Sequence, residues 1–131
     1  MATFSSSPKG LVVELYTARV NYPGWSNELV LDTTYKTGHG LGAIFAPSKK
    51  MVWDFKNGKI TWEEYTDRYL RLMRERYRAN AESFHAVLAH PKVVLKCYCA
   101  TPKCHRYLLA DLLLKVAHHI NISAEYLGEK R

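Results

Sequence analysis

Lys92-Val93-Val94-Leu95-Lys96-Cys97-Tyr98-Cys99-Ala100-Thr101-Pro102-Lys103-Cys104-His105-Arg106 decides the fold, because a strand, a turn and a helix start follow one another there. Val93, Leu95, Cys97 and Cys99 recur at the period of two that puts alternate side chains on one face of a strand. Lys92 to Cys99 is therefore expected to be an interior strand with Cys99 at its carboxyl end. Thr101 has the side-chain oxygen of an N-cap, and Pro102 suits the first helical position, where its missing N–H is not needed. On that reading Cys104 is the third helical residue. His105 and Arg106 then stand where free backbone N–H groups and the helix dipole favour anions.

Outward from this stretch, strand and helix patterns alternate. Leu11 to Tyr16 is an apolar run of strand type, followed by Thr17-Ala18-Arg19 and a Pro23-Gly24 turn, and Leu29 to Asp32 reads as a second strand. Pro47 introduces a short helix from Ser48 to Lys56, which Gly58 ends. Thr61-Trp62-Glu63-Glu64 is a capping box that opens another. Trp62, Tyr65, Tyr69, Leu72, Met73 and Tyr77 follow at steps of three or four, an apolar stripe for the core from whose rim a tyrosine hydroxyl reaches toward a ligand. Arg68, Arg71, Arg74 and Arg78 fall on another side, as a solvated face or a grip for phosphates. Ala81 to Ala89 is helical until Pro91. Beyond the opening stretch, Pro102 to His119 carries Leu108, Leu109, Leu112, Leu113, Val116 and Ile120 on a broad apolar face, and Ile122 to Leu127 is a last strand closed by Gly128. The pattern predicts a loose arm over 1–10 and one small α/β domain over 11–131, with a mainly parallel sheet flanked by helices.

At 131 residues the chain is long enough for one core without disulfide or metal staples. No run approaches a membrane span, and no basic segment followed by an apolar core opens the chain, so a soluble cytoplasmic protein with no membrane partner is expected. Nineteen Lys and Arg against twelve Asp and Glu leave a formal charge of +7, which suits a nucleic acid or nucleotide and suits plain solubility equally. Three closely spaced cysteines cannot all pair with one another, and free thiols or thiolates are expected.

Cys97-x-Cys99 before a short turn, Cys104-His105-Arg106 after it, Phe45-Ala46-Pro47-Ser48, and Asn57-Gly58-Lys59-Ile60-Thr61-Trp62-Glu63-Glu64-Tyr65 together resemble the domain of unknown function 488 family. The resemblance runs over roughly residues 11 to 128. It implies an arginine after the first strand, here Arg19, and an aspartate with a nearby lysine after the second, here Asp32 and Lys36. Arg19 is also a candidate by position, since open α/β sheets bind ligands at their carboxyl edge.

Several chemistries fit the cysteine stretch. Cys97, Cys99, Cys104 and His105 offer four soft ligands, but a helix separates adjacent residues by about 100°, so a shared metal is not expected, and no other cofactor is. A phosphatase loop needs five residues between cysteine and arginine, whereas six stand between Cys99 and Arg106. Gly38-His39-Gly40-Leu41-Gly42 permits close backbone approach to a ligand, as a lid or a phosphate cradle, without completing a Walker sequence. The reading is an enzyme for a nucleotide, nucleic acid or other phosphorylated ligand. Cys104 is reactive or orienting, His105 the acid/base, Arg106 with Arg19 the anion grip, and Cys99, Asp32 and Lys36 further site residues. A non-catalytic anion-binding module and a thiol- or metal-responsive protein are the alternatives.

Overall fold

The computed structural model describes residues 12–38, 40–99 and 101–130. Four strands, β1 (Val13–Arg19), β2 (Leu29–Asp32), β3 (Lys92–Cys97) and β4 (Ala124–Lys130), form an all-parallel sheet in the order β2-β3-β1-β4. Val93, Val94 and Leu95 are all buried, as expected of a parallel strand covered on both faces. The connections from β2 to β3 and from β3 to β4 cross the sheet in the same direction, so right-handed crossovers lay their helices on one face. The helices are α1 (Lys49–Lys56), α2 (Trp62–Ala79), α3 (Ala81–Val87) and α4 (His105–His119), with a 3-10 turn over Gly40–Phe45. Their Met51, Tyr69, Phe84, Leu109 and Leu113 share one core with Leu15, Leu31, Val93 and Leu95 of the sheet. The connection from β1 to β2 runs back over the other face, where Tyr22 packs on Ala18 and Val94.

Local signals hold where tertiary contacts do not oppose them. The capping box of α2 is complete: Glu64 N–H donates to Thr61 Oγ1 at 3.1 Å, and Thr61 N–H donates to Glu64 Oε1 at 2.9 Å. The arginines of α2 divide by partner. Arg71 pairs with Asp67 and Arg68 with Asp54, whereas Arg76 donates to the Ile44 and Ala46 carbonyls and, with the bond from Tyr69 Oη to Phe45 O, ties α2 to the 3-10 turn.

Four expectations are corrected. β3 stops at Cys97, and α4 begins at His105 rather than Pro102; its N-cap is Cys104, extended at φ −143 and ψ 145, not Thr101. The start of the helix is set by burial of His105 and Arg106, which outweighs the Thr-Pro preference. Gly128 does not close the last strand. It lies inside β4 at φ 111, where the pairing with β1 slips between Leu15 and Tyr16, and so it accommodates a bulge. Of the glycines after β2, Gly38 and Gly42 approach the chain's own backbone rather than open space, whereas Gly40 has nothing near it: a Cβ on Gly42 would lie 2.4 Å from Asp32 O, and one on Gly38 2.5 Å from Thr34 O. The arm over 1–10, Leu11, His39 and Ala100 lie outside the described residues.

Arg106 fastens α4 to β4 and to the segment after β3. Its guanidinium, 1 % exposed, donates to Glu129 Oε1 at 3.3 Å and Oε2 at 2.9 Å on β4, to Cys99 O at 2.8 Å, and to Tyr107 Oη at 2.9 Å. Burial alone would raise the Glu129 carboxyl, but the bonds from Arg106 hold it below its ordinary 4.5. A depressed carboxyl contributes its stability above that ordinary value and loses it as pH falls further.

Glu129→Gln is therefore expected to lose about 3 kcal/mol at neutral pH, the cost of breaking a buried pair, and to unfold less steeply than the parent as pH falls below 4.5. Urea unfolding from pH 7 to pH 3 measures both; parallel acid limbs would show that the pair does not control them. In the same assay Gly42→Ala, overpacked against backbone, should cost about 1 to 3 kcal/mol. Gly40→Ala, at φ 58 in open space, should lose about 1 kcal/mol from backbone strain alone. Equal losses would mean that the Asp32 carbonyl moves aside without cost.

Candidate active site

At the carboxyl edge of the sheet the end of β3 meets the start of α4, and the three cysteines converge. Their Sγ atoms all lie within 4.8 Å of one another, with Cys97 and Cys99 3.9 Å apart and no disulfide among them. His105 Nδ1 lies 3.7 Å from Cys97 Sγ and 3.8 Å from Cys104 Sγ. The sequence expectation that Cys104 and His105 diverge by one helical step fails, because Cys104 is an extended N-cap and only His105 is helical. The imidazole thus faces the sulfurs.

Thr33, fully buried just after β2, fixes the ring. His105 Nε2 is 3.0 Å from Thr33 O and 3.0 Å from Thr33 Oγ1, while that hydroxyl gives its own proton to Lys96 O at 2.8 Å. Nε2 therefore carries the hydrogen, and Nδ1 presents its lone pair to the cysteines. Burial foremost pushes the His105 imidazole down to about 4, so it is neutral at pH 7. Among the thiols, contacts with Cys104 and then Cys97, with the charge of Arg106 behind them, draw Cys99 below its ordinary 9 against the opposing effect of burial. Contacts with Cys97 and Cys99, then burial, hold Cys104 well above it. The directions of these shifts favour the thiolate at Cys99 over Cys104, and Cys99 is the one sulfur of the three that is only half-buried.

Above the cluster opens a cavity of about 720 Å³. Cys97, Cys99 and His105 form its floor, and Val52, Phe55 and Tyr65 line it together with Lys36, Lys56 and Lys103. Tyr65 lies 5.2 Å from the Trp62 ring at 16° and 5.3 Å from Phe55, and among the described residues its hydroxyl has no hydrogen-bond partner. Burial first, and the nearby cysteines after it, push that hydroxyl far up, so it remains a donor.

The other candidates separate. Cys104 is 1 % exposed and sits beneath the floor. Arg106 holds the Cys99 carbonyl from behind, its fork already engaged by protein groups. Arg19 is exposed at the end of β1, in register with Cys97 but outside the cavity lining. Asp32 accepts from Thr34 N–H, Thr34 Oγ1 and Thr37 Oγ1 at 3.0, 2.8 and 2.6 Å. Burial would raise its carboxyl, but the bonds from Thr37 and Thr34 hold it down. It shapes the turn that carries Lys36. Sequence reasoning did not single out Thr33, Phe55, Lys56 or Lys103. Nothing in a lone threonine or lysine announces such a role, whereas Tyr65 belonged to the aromatic stripe.

A family model described as the active DUF488-N3 subclade matches residues 6–117, in agreement with the resemblance carried by the Cys-His-Arg stretch. No curated protein and no solved structure matches the chain. The chain belongs to the DUF488 family, within its active N3 subclade.

Proposed function

We propose that the protein is an enzyme that takes a nucleotide, free or within a nucleic acid, into this cavity and transforms it over the cysteine-histidine floor. The observation that carries this reading is the pairing of an aromatic and aliphatic wall with three lysines around one cavity. A volume of about 720 Å³ falls within the range of small-molecule sites. A nucleobase is flat and apolar on its faces with polar edges, which matches Phe55, Val52 and the unpartnered Tyr65 hydroxyl. Its phosphate matches Lys36, Lys56 and Lys103, and the formal charge of +7 draws polyanions toward the domain.

The floor supplies the reactive groups. Cys99 is the sulfur nearest the ligand, Cys104 supports it from below, and neutral His105 accepts from or orients the sulfurs rather than donating a proton. Arg106 is a positioning residue in this account, because its fork secures Cys99 and Glu129. The anion grip passes to the lysines, with Arg19 at the outer edge for a longer ligand.

Calorimetric titration with nucleoside monophosphates, nucleosides and inorganic phosphate tests the assignment. The monophosphate should bind tighter than either part, and Lys103→Ala should weaken it about tenfold, the worth of one hydrogen bond to a charged group, while sparing the nucleoside. Lys115→Ala, whose lysine pairs with Asp111 on α4, is the control. Equal affinities across these variants would remove the cavity as the phosphate site. Mass spectrometry of the incubated ligand tests turnover, and an unchanged ligand across the nucleotide panel would reduce the protein to a binding module.

A further inference from the structure

We infer that Cys97, Cys99, Cys104 and His105 form a closed tetrahedral site for zinc. This goes beyond the ligand proposed for the cavity and does not depend on it; in zinc-loaded protein Cys99 and His105 are ligands to the ion, and the free thiol and free imidazole of the floor belong to the metal-free protein. Zinc–sulfur bonds of about 2.3 Å and zinc–nitrogen bonds of about 2.0 to 2.1 Å set the edges of a tetrahedron at about 3.8 Å between sulfurs and about 3.6 Å between sulfur and nitrogen. Here Cys97 and Cys99 are 3.9 Å apart, and His105 Nδ1 is 3.7 and 3.8 Å from Cys97 and Cys104. With every sulfur pair inside 4.8 Å, the three sulfurs need contract by less than about 1 Å onto a central ion, and His105 Nδ1 already stands at the tetrahedral-edge separation from two of them.

The surroundings select the same ion. His105 gives its Nε2 hydrogen to the Thr33 carbonyl at 3.0 Å, which leaves Nδ1 bare and aimed at the sulfurs, the arrangement that orients metal-bound imidazoles. Three thiolates and an imidazole are soft donors without a carboxylate, which disfavours magnesium and calcium and favours zinc. Three thiolates around a divalent cation leave one negative charge. Arg106, 1 % exposed and bonded to the Cys99 carbonyl, lies beside it. A disulfide is a poorer account, since it would use two of the three sulfurs and strand the third beside a bare imidazole nitrogen. An ion here joins the end of β3 to the start of α4 across the turn that forms the cavity floor.

Untagged protein purified without chelator should contain close to one zinc per chain by elemental analysis. Metal-free protein titrated with cobalt should develop sulfur-to-cobalt charge-transfer absorption with the visible bands of a tetrahedral ion. His85, His90, His118 and His119 cannot produce the sulfur band. Cys97→Ser and His105→Ala should each weaken cobalt binding by at least about tenfold. Both residues are buried and either variant could misfold, so the decisive measurement uses the unaltered chain. Iodoacetamide should label Cys99 slowly in zinc-loaded protein and faster after chelation, with protection restored by added zinc. Three thiols that titrate freely, no sulfur band with cobalt, and labelling indifferent to zinc would overturn the site. Full cobalt affinity in a folded His105→Ala would overturn its closed form. Nucleoside monophosphate titrations of loaded and metal-free protein keep the two proposals apart: a failed metal site leaves nucleotide binding in place, and failed nucleotide binding leaves the cobalt spectrum.

Discussion

The buried guanidinium of Arg106 is the contact on which the site depends. Taking a permanent charge out of water is costly unless its donors are matched, and here Nε, Nη1 and Nη2 all have acceptors, in the Glu129 carboxylate, the Cys99 carbonyl and the Tyr107 hydroxyl. These partners come from β4, from the segment after β3, and from α4 itself. A lysine would keep the charge but, as a point donor on a flexible stem, could not hold all three in one plane. The fork therefore fixes where α4 begins relative to the sheet. That in turn decides that Cys104 is an extended cap and His105 the first helical residue.

The sheet adds a second constraint. β3 and β1 are neighbours, yet the chain leaves β3 over the helical face and leaves β1 over the face covered by Tyr22. Adjacent parallel strands that depart to opposite faces open a crevice at their carboxyl ends. Cys97 and Arg19 are register partners at that point. The cavity lies on the helical side of this edge, where α1 and α2 contribute Val52, Phe55 and Tyr65. An aromatic stripe built for the core thus supplies one wall of the site at its end.

Much of this was legible in the sequence. The β-branched and apolar run Val93-Val94-Leu95 identifies the strand because a parallel strand is buried on both faces, and the Thr61–Glu64 box marks α2 because both of its bonds are local. What escaped is non-local. Thr101 and Pro102 have good intrinsic reasons to start a helix, but burial of His105 and Arg106 acts through Thr33 and Glu129, seventy-two and twenty-three residues away. Gly128 looks like a strand terminator until its bulge against β1 is known. Gly42 looks like a ligand cradle until the Asp32 carbonyl is found where its side chain would be. The membrane reading needs no tertiary knowledge, and no described helix is long and apolar enough to cross a bilayer.

Two adjacent threonines connect the floor of the site to its rim. Thr33 receives the His105 ring through its carbonyl and hydroxyl oxygens. Thr34 bonds Asp32 and Thr37, closing the turn that carries Lys36 to the cavity. A single peptide bond, planar and stiff, therefore separates the group that orients the imidazole from the group that places a lysine. That peptide is held at both of its polar atoms, the Thr33 carbonyl lying 3.0 Å from His105 Nε2 and the Thr34 N–H donating to Asp32 Oδ1 at 3.0 Å, while the Lys96 carbonyl anchors the preceding Thr33 N–H, at 3.0 Å, and Thr33 Oγ1. The lysine-bearing rim and the imidazole of the floor are thereby tied to one short segment, Thr33 to Thr37. A floor and a rim that share one hydrogen-bonded segment hold their relative geometry without any bound group, the kind of preorganisation that the proposed function calls for.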